Sequence, residues 1–344
     1  MNERGLDLID QKILYELDLN SSQSFLDLAK KVDIPNETVA FRVKRLQKNG
    51  YIKNFITTIN TSNLNRFYYK FFFKFQKTVP KIERDIINYL RSYMGIAYLA
   101  KTEGRFDCTF LVLAESIQDL YDFLIPFKEK FGEYILEQEI MTMTSTHRFN
   151  FRFFYEGGKL LHTEYPEKLR ETDIDELDYA IITALAKNSR ASLQEMAKAN
   201  KVHPNVVRYR IKKLKKAQVL GSSVLDIDFK KFGVEQYQIA FVLKNQKSVK
   251  EIINFVAPIP ESTFATVSLG KYDLAVEFAV RNREALKVIL DRIKNQFSQT
   301  IVSQDVFSLD EYIVNWFPYS IKNKTKKDIF EPLGGATATD RENF

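Results

Sequence analysis

Apolar positions along this chain follow two periods, and the same order of periods is written twice. Ile9, Ile13, Leu14 and Leu17 recur at helical spacing, with Asp7 placed to cap or favour the helix N-terminus. A second helix opens at Ser24, with Phe25, Leu28 and Ala29 inward. Ser24 to Asp27 resembles a capping box with Asp in place of Glu, and the later Ser192 to Glu195 is the full pattern. A tight connection over 32–35 leads into a third helix over 36–48, whose apolar stripe is Val39, Val43 and Leu46. Asn49-Gly50 ends it, because either residue accepts a left-handed turn. Tyr51-Ile52 and 55–59 read as the two strands of a small wing. Helix, helix, tight turn, helix and wing predict a winged helix-turn-helix.

The pattern then alternates. A strand over 67–76 puts Phe71, Phe73 and Phe75 on one face. It is followed by a helix over 80–93, a strand over 96–102, a turn Gly104 to Asp107, a strand over 108–114, a helix over 116–130 and a strand over 135–142. This order, βαββαβ, is the ferredoxin-like split βαβ. It returns as strand 235–244, helix 248–257, strand 263–269, turn Gly270 to Asp273, strand 274–280, helix 283–297 and strand 300–309. Such a domain leaves one sheet face open, and two of them can bury those faces against each other.

The repeat is direct. Residues 6–17 match 174–185 at an offset of 168, which also pairs Asn20 with Asn188, Ser24 with Ser192, Arg42 with Arg210 and Tyr69 with Tyr237. The offset falls to 166 by Gly104 and Gly270, and holds there for Asp107 with Asp273 and Phe131 with Phe297. The expected fold class is α+β, with two winged helix-turn-helix domains and two ferredoxin-like βαββαβ domains. The boundaries read as a winged helix-turn-helix over 1–62, βαββαβ over 63–148, a linker over 149–172, a second winged helix-turn-helix over 173–231, βαββαβ over 232–320 and a disordered tail over 321–344.

Composition narrows the classes. The 344 residues are 45% hydrophobic and 28% charged, an ordinary soluble balance. The apolar runs are far shorter than the ~20 residues of a membrane span. Asp7 and Asp10 interrupt the first apolar residues, so no secretory signal is expected and the cytoplasm is the expected compartment. The single cysteine, Cys108, excludes an internal disulfide framework and a thiolate zinc site. His147, His162 and His203 lack metal-ligand spacing, so no metal or cofactor is expected. No nucleophile elbow or phosphate-cradling glycine loop occurs. Net charge is +7, which favours an acidic partner without naming one.

The charge is concentrated on one helix. In 205–221, Val206, Val207, Ile211 and Leu214 would face a core, while Arg208, Arg210, Lys212, Lys213, Lys215 and Lys216 ride mainly on the other faces. Close cations repel by a few tenths of a kcal/mol per pair. A polyanion would remove that penalty and release counterions. Most charge runs are solvated faces. This one is set apart by lying on the third helix of a helix-turn-helix. Residues 173–221 hold ten Lys/Arg against five Asp/Glu, whereas 1–53 hold nine against eight, so the second head is expected to supply most of the electrostatic affinity.

These residues together resemble the leucine-responsive and asparagine-type feast/famine regulators (Lrp/AsnC). The resemblance is carried by Leu6, Asp7, Asp10, Ile13, Leu14, Leu17, Asn20, Leu28 and Ala29, then Val39, Arg42, Val43, Leu46 and Gly50 to Ile52, then Gly104 to Asp107, with their counterparts in the second copy. It covers roughly 6–145 and 174–310. Family members usually carry one unit, dimerise through the βαββαβ sensor domains and assemble further, so the resemblance implies an internal pseudo-dimer with two DNA-binding heads. The chain departs from the family's Ser-Pro before the third helix. It has Pro35-Asn36 in one head and His203-Pro204 in the other, and Gly50 becomes Gln218.

In a helix-turn-helix the start of the third helix meets base edges and later cations meet phosphates. That assigns Asn36, Glu37, Thr38, Ala40 and Phe41 to bases and Lys44, Arg45 and Lys48 to backbone in the first head. In the second, His203, Asn205, Arg208 and Tyr209 would read bases, with Lys212, Lys213, Lys215 and Lys216 on phosphates. The expected partners are double-stranded DNA and, by self-association through the sensor domains, further copies of the chain. The resemblance makes the two Gly-x-x-Asp turns part of an amino-acid effector site, with Thr102, Gly104, Asp107, Gly270 and Asp273 as candidates; for each residue a plain hairpin turn is the commoner explanation. Siroheme decarboxylases are similar to this family in fold, which leaves a tetrapyrrole role for His147, Arg148 and Arg152 as the enzymatic alternative. A DNA-indifferent assembly protein is a third reading, against which the cationic helix stands.

Overall fold

The computed structural model describes residues 5–155, 157–166, 172–314 and 317. The first unit opens with α1 (Leu8–Leu19), α2 (Phe25–Val32) and α3 (Asn36–Lys48), followed by strand β1 (Ile52–Ile59). Each start has a local cause. The Asp7 side chain accepts from the Asp10 amide at 2.8 Å, and Asp10 reaches back to the Asp7 amide. Ser24 accepts from the Asp27 amide, but its hydroxyl then donates to the Asp27 carboxylate at 2.6 Å, so the reciprocal half of the box is missing there. Next come β2 (Phe67–Phe75), α4 (Pro80–Ser92), β3 (Ile96–Glu103), β4 (Cys108–Ala114), α5 (Ile117–Phe131), β5 (Ile135–Phe149) and β6 (His162–Pro166).

The second unit repeats the order: α6 (Glu176–Lys187), α7 (Leu193–Ala199), α8 (Pro204–Lys216), β7 (Leu220–Ile227), β8 (Glu235–Leu243), α9 (Lys247–Val256), β9 (Ser262–Leu269), β10 (Leu274–Val280), α10 (Arg283–Phe297) and β11 (Ile301–Val314). Ser192 and Glu195 form the full reciprocal capping box at α7.

Eight strands close on themselves. Their order is β2-β4-β3-β11-β8-β10-β9-β5, and β5 pairs back onto β2. The units meet at two equivalent antiparallel seams, Thr142 to Arg148 against Leu269 to Phe264, and Ser308 to Val314 against Glu103 to Tyr98. Closure removes every strand edge from the ring. The helices pack outside it on two separate cores, one around Phe71, Phe110, Phe123 and Phe127, the other around Phe241, Ile252, Phe278 and Ile293. A third core, with Phe72, Phe106, Tyr272 and Phe307, fills the inside. The two sheet faces are thus buried against each other.

Two expectations change. The wing is not a hairpin within each head. Residues 52–59 form one strand, and its antiparallel partner is β7 of the other head, Ile52 opposite Ile227 and Ile59 opposite Leu220. A single strand cannot satisfy its own backbone, so each head completes the other. The stretch read as polar linker also holds a strand. β6 pairs with the end of β5, Ser145 to Phe149, where β5 has run past the end of β2. The tail read as disordered, 321–344, lies outside the described residues.

Candidate nucleic-acid interface

The apolar stripes of α3 and α8 face inward as their spacing requires. Val39, Val43 and Leu46 are buried in the first head, Val207 and Leu214 in the second. Their opposite faces are open. Asn36, Glu37, Phe41 and Lys44 are exposed on α3, with Thr38 half-buried. Asn205, Arg208, Tyr209, Lys212, Lys215 and Lys216 are exposed on α8. Phe41 and Tyr209 are equivalent at the 168 offset, and at 65% and 67% exposed they stand out from two surfaces that otherwise bury their aromatic rings. An exposed ring at the same turn of both helices suits contact with a thymine methyl in a major groove.

The starts of the two helices differ. His203 is the N-cap of α8, and its Nδ1 accepts from the Asn205 amide at 3.2 Å. It stands in for the family's serine. Pro35 caps α3 with no side-chain bond. Arg208 donates to Asn205 Oδ1 at 2.8 Å, so these two base-reading candidates are held together one turn apart.

Not every expected phosphate contact is free. Asp10 and Asp178 are buried in equivalent places under the third helices. A buried carboxylate needs cations. Arg42 reaches Asp7 at 2.7 Å and Asp10 at 2.9 Å, and Arg45 also bonds Asp10. Arg210 reaches Asp175 at 2.7 Å and Asp178 at 3.0 Å, and Lys213 lies 3.2 Å from Asp178. Arg45 and Lys213 therefore first serve their own domain. Burial pushes Asp7 up, but the Asp10 amide and Arg42 outweigh it and hold it below the usual carboxylate range. The Asp178 amide and Arg210 do the same for Asp175 against its burial. Among the described residues, Lys44, Lys48, Lys212, Lys215 and Lys216 have no carboxylate within the 4.0 Å of an ion pair.

The two glycine turns are locked from within. Gly104 and Gly270 have φ of +141° and +136°. A Cβ on Gly104 would meet the Val306 carbonyl oxygen of the other unit at 2.6 Å. Asp107 accepts from Lys74 at 2.7 Å and from the Phe75 amide at 2.7 Å. Asp273 accepts from the Leu243 amide at 2.7 Å and from Gln246 at 3.1 Å. Thr102 is buried and donates to the Phe106 carbonyl. The five effector candidates thus hold turns whose aromatic residues, Phe106 and Tyr272, plug one end of the ring. The turns do converge: Arg105 and Lys271 both reach Glu137, at 2.8 and 3.1 Å.

The tetrapyrrole candidates are engaged as well. Arg148 bonds the buried Asp18, Arg152 donates to the Ala257 and Ile259 carbonyls at 2.8 and 3.1 Å, and His147 Nδ1 lies 2.9 Å from His162 Nε2. Sequence reasoning counted Arg190 only among the residues that carry the resemblance and gave it no role. It donates to the Ser21 carbonyl at 2.8 Å and lies over the Phe25 and Phe55 rings, joining the heads. Its counterpart in the repeat is Ser22, a mismatch that was the available signal.

Residues 6–53 match the winged helix-turn-helix DNA-binding family, and residues 174–215 the AsnC-type helix-turn-helix domain. A helix-turn-helix-type transcriptional regulator of Pyrococcus abyssi is 30% identical over 132 residues, which are 84% of that protein and 38% of this chain. The chain belongs to the AsnC-type family of transcriptional regulators. The regulatory protein AsnC of Escherichia coli is 27% identical over 135 residues, 89% of its length and again 38% of this one. Each relative therefore spans about one unit of this AsnC-family chain, which carries two helix-turn-helix matches. Over the whole chain the solved siroheme decarboxylase NirDL is similar, with a TM-score of 0.62 covering 90% of this chain and 96% of that one. At 14% identity that likeness shows the fold.

Proposed function

We propose that this AsnC-family chain is a sequence-specific DNA-binding regulator of transcription that acts in the cytoplasm without catalysing a reaction. It would present two non-identical reading heads, 1–62 and 173–231, from one polypeptide. The observation that supports it most is the paired exposure of Phe41 and Tyr209 on third helices whose outer faces also carry unpaired lysines. Two tethered heads meet two half-sites at high effective concentration. Their different side chains favour an asymmetric site. Gating by a small effector and further self-association through the 63–148 and 232–320 domains belong to the same reading.

Binding of the chain to its own upstream DNA, followed by anisotropy over a salt series, tests it. A steep salt slope that flattens in Arg208→Ala/Lys212→Ala supports the proposal. Absent or salt-insensitive binding removes it. The fold shared with NirDL keeps tetrapyrrole chemistry as the second reading. The internal partners of Arg148, Arg152 and His147 count against it, and a tetrapyrrole titration without spectral change would close it.

A further inference from the structure

The inside of the ring is not filled along its whole length. Aromatic residues plug the end at the glycine turns. At the other end a cavity of about 210 Å³ remains, and residues of the β1–β7 ribbon, among them Ile59, Leu225 and Ile227, line it. Its walls are mostly apolar, with Ala97, Leu111, Phe151 and Phe264 among them. Among the described residues, four charged side chains also line it: Arg148, which bonds Asp18, the carboxylates Asp226 and Glu277, and Lys70. Lys70 lies on β2 between Leu111 and Met141 and is 3% exposed. Its nearest carboxylate oxygen, Glu277 Oε1, is 4.0 Å away, beyond hydrogen-bond reach. That oxygen already accepts from Gln238 at 2.7 Å. Among the described residues the Lys70 ammonium has no hydrogen bond, only this distant carboxylate and the Phe72 ring at 5.4 Å.

Lysine ammonium groups carry three donors, and a buried one without acceptors is costly. Burial pushes the Lys70 amine down, and Glu277 pulls it back up only in part. The duplication sharpens the point. The positions equivalent to Lys70 and Glu277 are Gln238 and Leu111, so this charge pair, which bridges the two units, is made once and is not repeated at its equivalent place. A packing requirement of the ring would apply to both halves.

We propose that this ribbon-covered cavity binds a small carboxylate with an apolar body, its carboxylate accepting from Lys70 and its body lying against Phe151, Phe264 and Ile227. The apolar walls exclude a bare inorganic anion, and a bound carboxylate supplies the acceptor the ammonium lacks. This deepens the regulator reading by naming an effector class and a site apart from the glycine turns. The ribbon joins both heads, so an occupant beneath it touches the element that sets their relation.

The test is calorimetric titration of the full chain, without DNA, with phenylacetate, 3-phenylpropionate, indole-3-acetate and 4-methylpentanoate, each against its primary amide. At least one carboxylate binds, its amide binds about tenfold or more weakly, and Lys70→Met loses a similar factor, as expected for one charge-assisted hydrogen bond. Ala97→Leu, which fills the cavity and leaves Lys70 in place, also abolishes binding. If Lys70→Met fails to fold, the amide comparison and Ala97→Leu decide. No binding by any of the four acids overturns the proposal, as does binding indifferent to the amide exchange or to both variants. Because DNA is absent, that failure leaves the DNA-binding reading standing.

Discussion

Ser21 Oγ and Ser189 Oγ lie 2.7 Å apart, buried, and 168 residues separate them. That separation is the repeat itself, so equivalent residues touch each other across the axis that relates the two heads. Around them the heads exchange backbone bonds: Ser21 donates its amide to the Ser223 carbonyl, and Ser189 to that of Phe55. A two-fold axis between separate subunits produces such self-contacts. Here it is written into one chain.

Ser21→Ala leaves the Ser189 hydroxyl buried without its partner, and Ser189→Ala leaves Ser21 only a long 3.5 Å bond to the Ile56 carbonyl. Each single change should cost about 1 kcal/mol, and the double change clearly less than the sum, since both partners then go together. Urea unfolding of the three variants measures the coupling. Strict additivity would mean that the two hydroxyls do not support each other.

The exposed and inward cations of α8 should separate by assay. Lys212→Ala/Lys216→Ala is expected to weaken DNA binding and lower the salt slope by about two, one per phosphate contact, with thermal stability kept. Lys213→Ala removes a cation from the buried Asp178 and should lower the melting temperature instead. Lys44→Ala/Lys48→Ala in the less basic head should weaken binding less than the α8 pair. Equal losses from the two heads would contradict this ranking.

Gly104→Ala should destabilise the ring by about 1–3 kcal/mol, because alanine is strained at φ of +141° and its methyl meets a backbone oxygen of the other unit. Gly270→Ala has a nearest contact of 3.2 Å, to the flexible Met141 side chain, and should cost less. Denaturant midpoints rank the two. The reverse order would show that Val306 yields more readily than Met141.

Acid should loosen the β5–β6 contact. Burial holds both His147 and His162 below the ordinary 6.5, outweighing the pull of Glu164. The folded chain thus binds fewer protons than the unfolded one in this window. Stability is complete above pH 6.5 and falls as pH drops below it toward the folded values. The melting temperature should decline between about pH 7 and 5, and by less in His162→Gln. An identical decline in that variant would place the sensitivity elsewhere.

Much of the fold was open to local reading. Helical stripes, capping side chains and alternating strands depend on neighbours within a few residues, so α1 to α10 and the βαββαβ order follow from the residue pattern. Gln218 shows the limit of that reading. It takes the left-handed φ of +57° that its counterpart Gly50 takes at +78°, although its residue type does not announce it. β6 was missed because five residues without an apolar run become a strand only where the free length of β5 offers backbone partners.

The sequence by itself determined the duplication, the two kinds of domain and which helices carry the cations, because each is a matter of residue type at a fixed spacing. The tertiary structure alone decided that the wings pair with each other, that eight strands close into a ring, that Arg45 and Lys213 turn inward and that Lys70 faces a cavity. Those outcomes join residues far apart in the chain. Backbone groups must find partners and buried charges must find counter-charges, and only the packed molecule brings the candidates within reach.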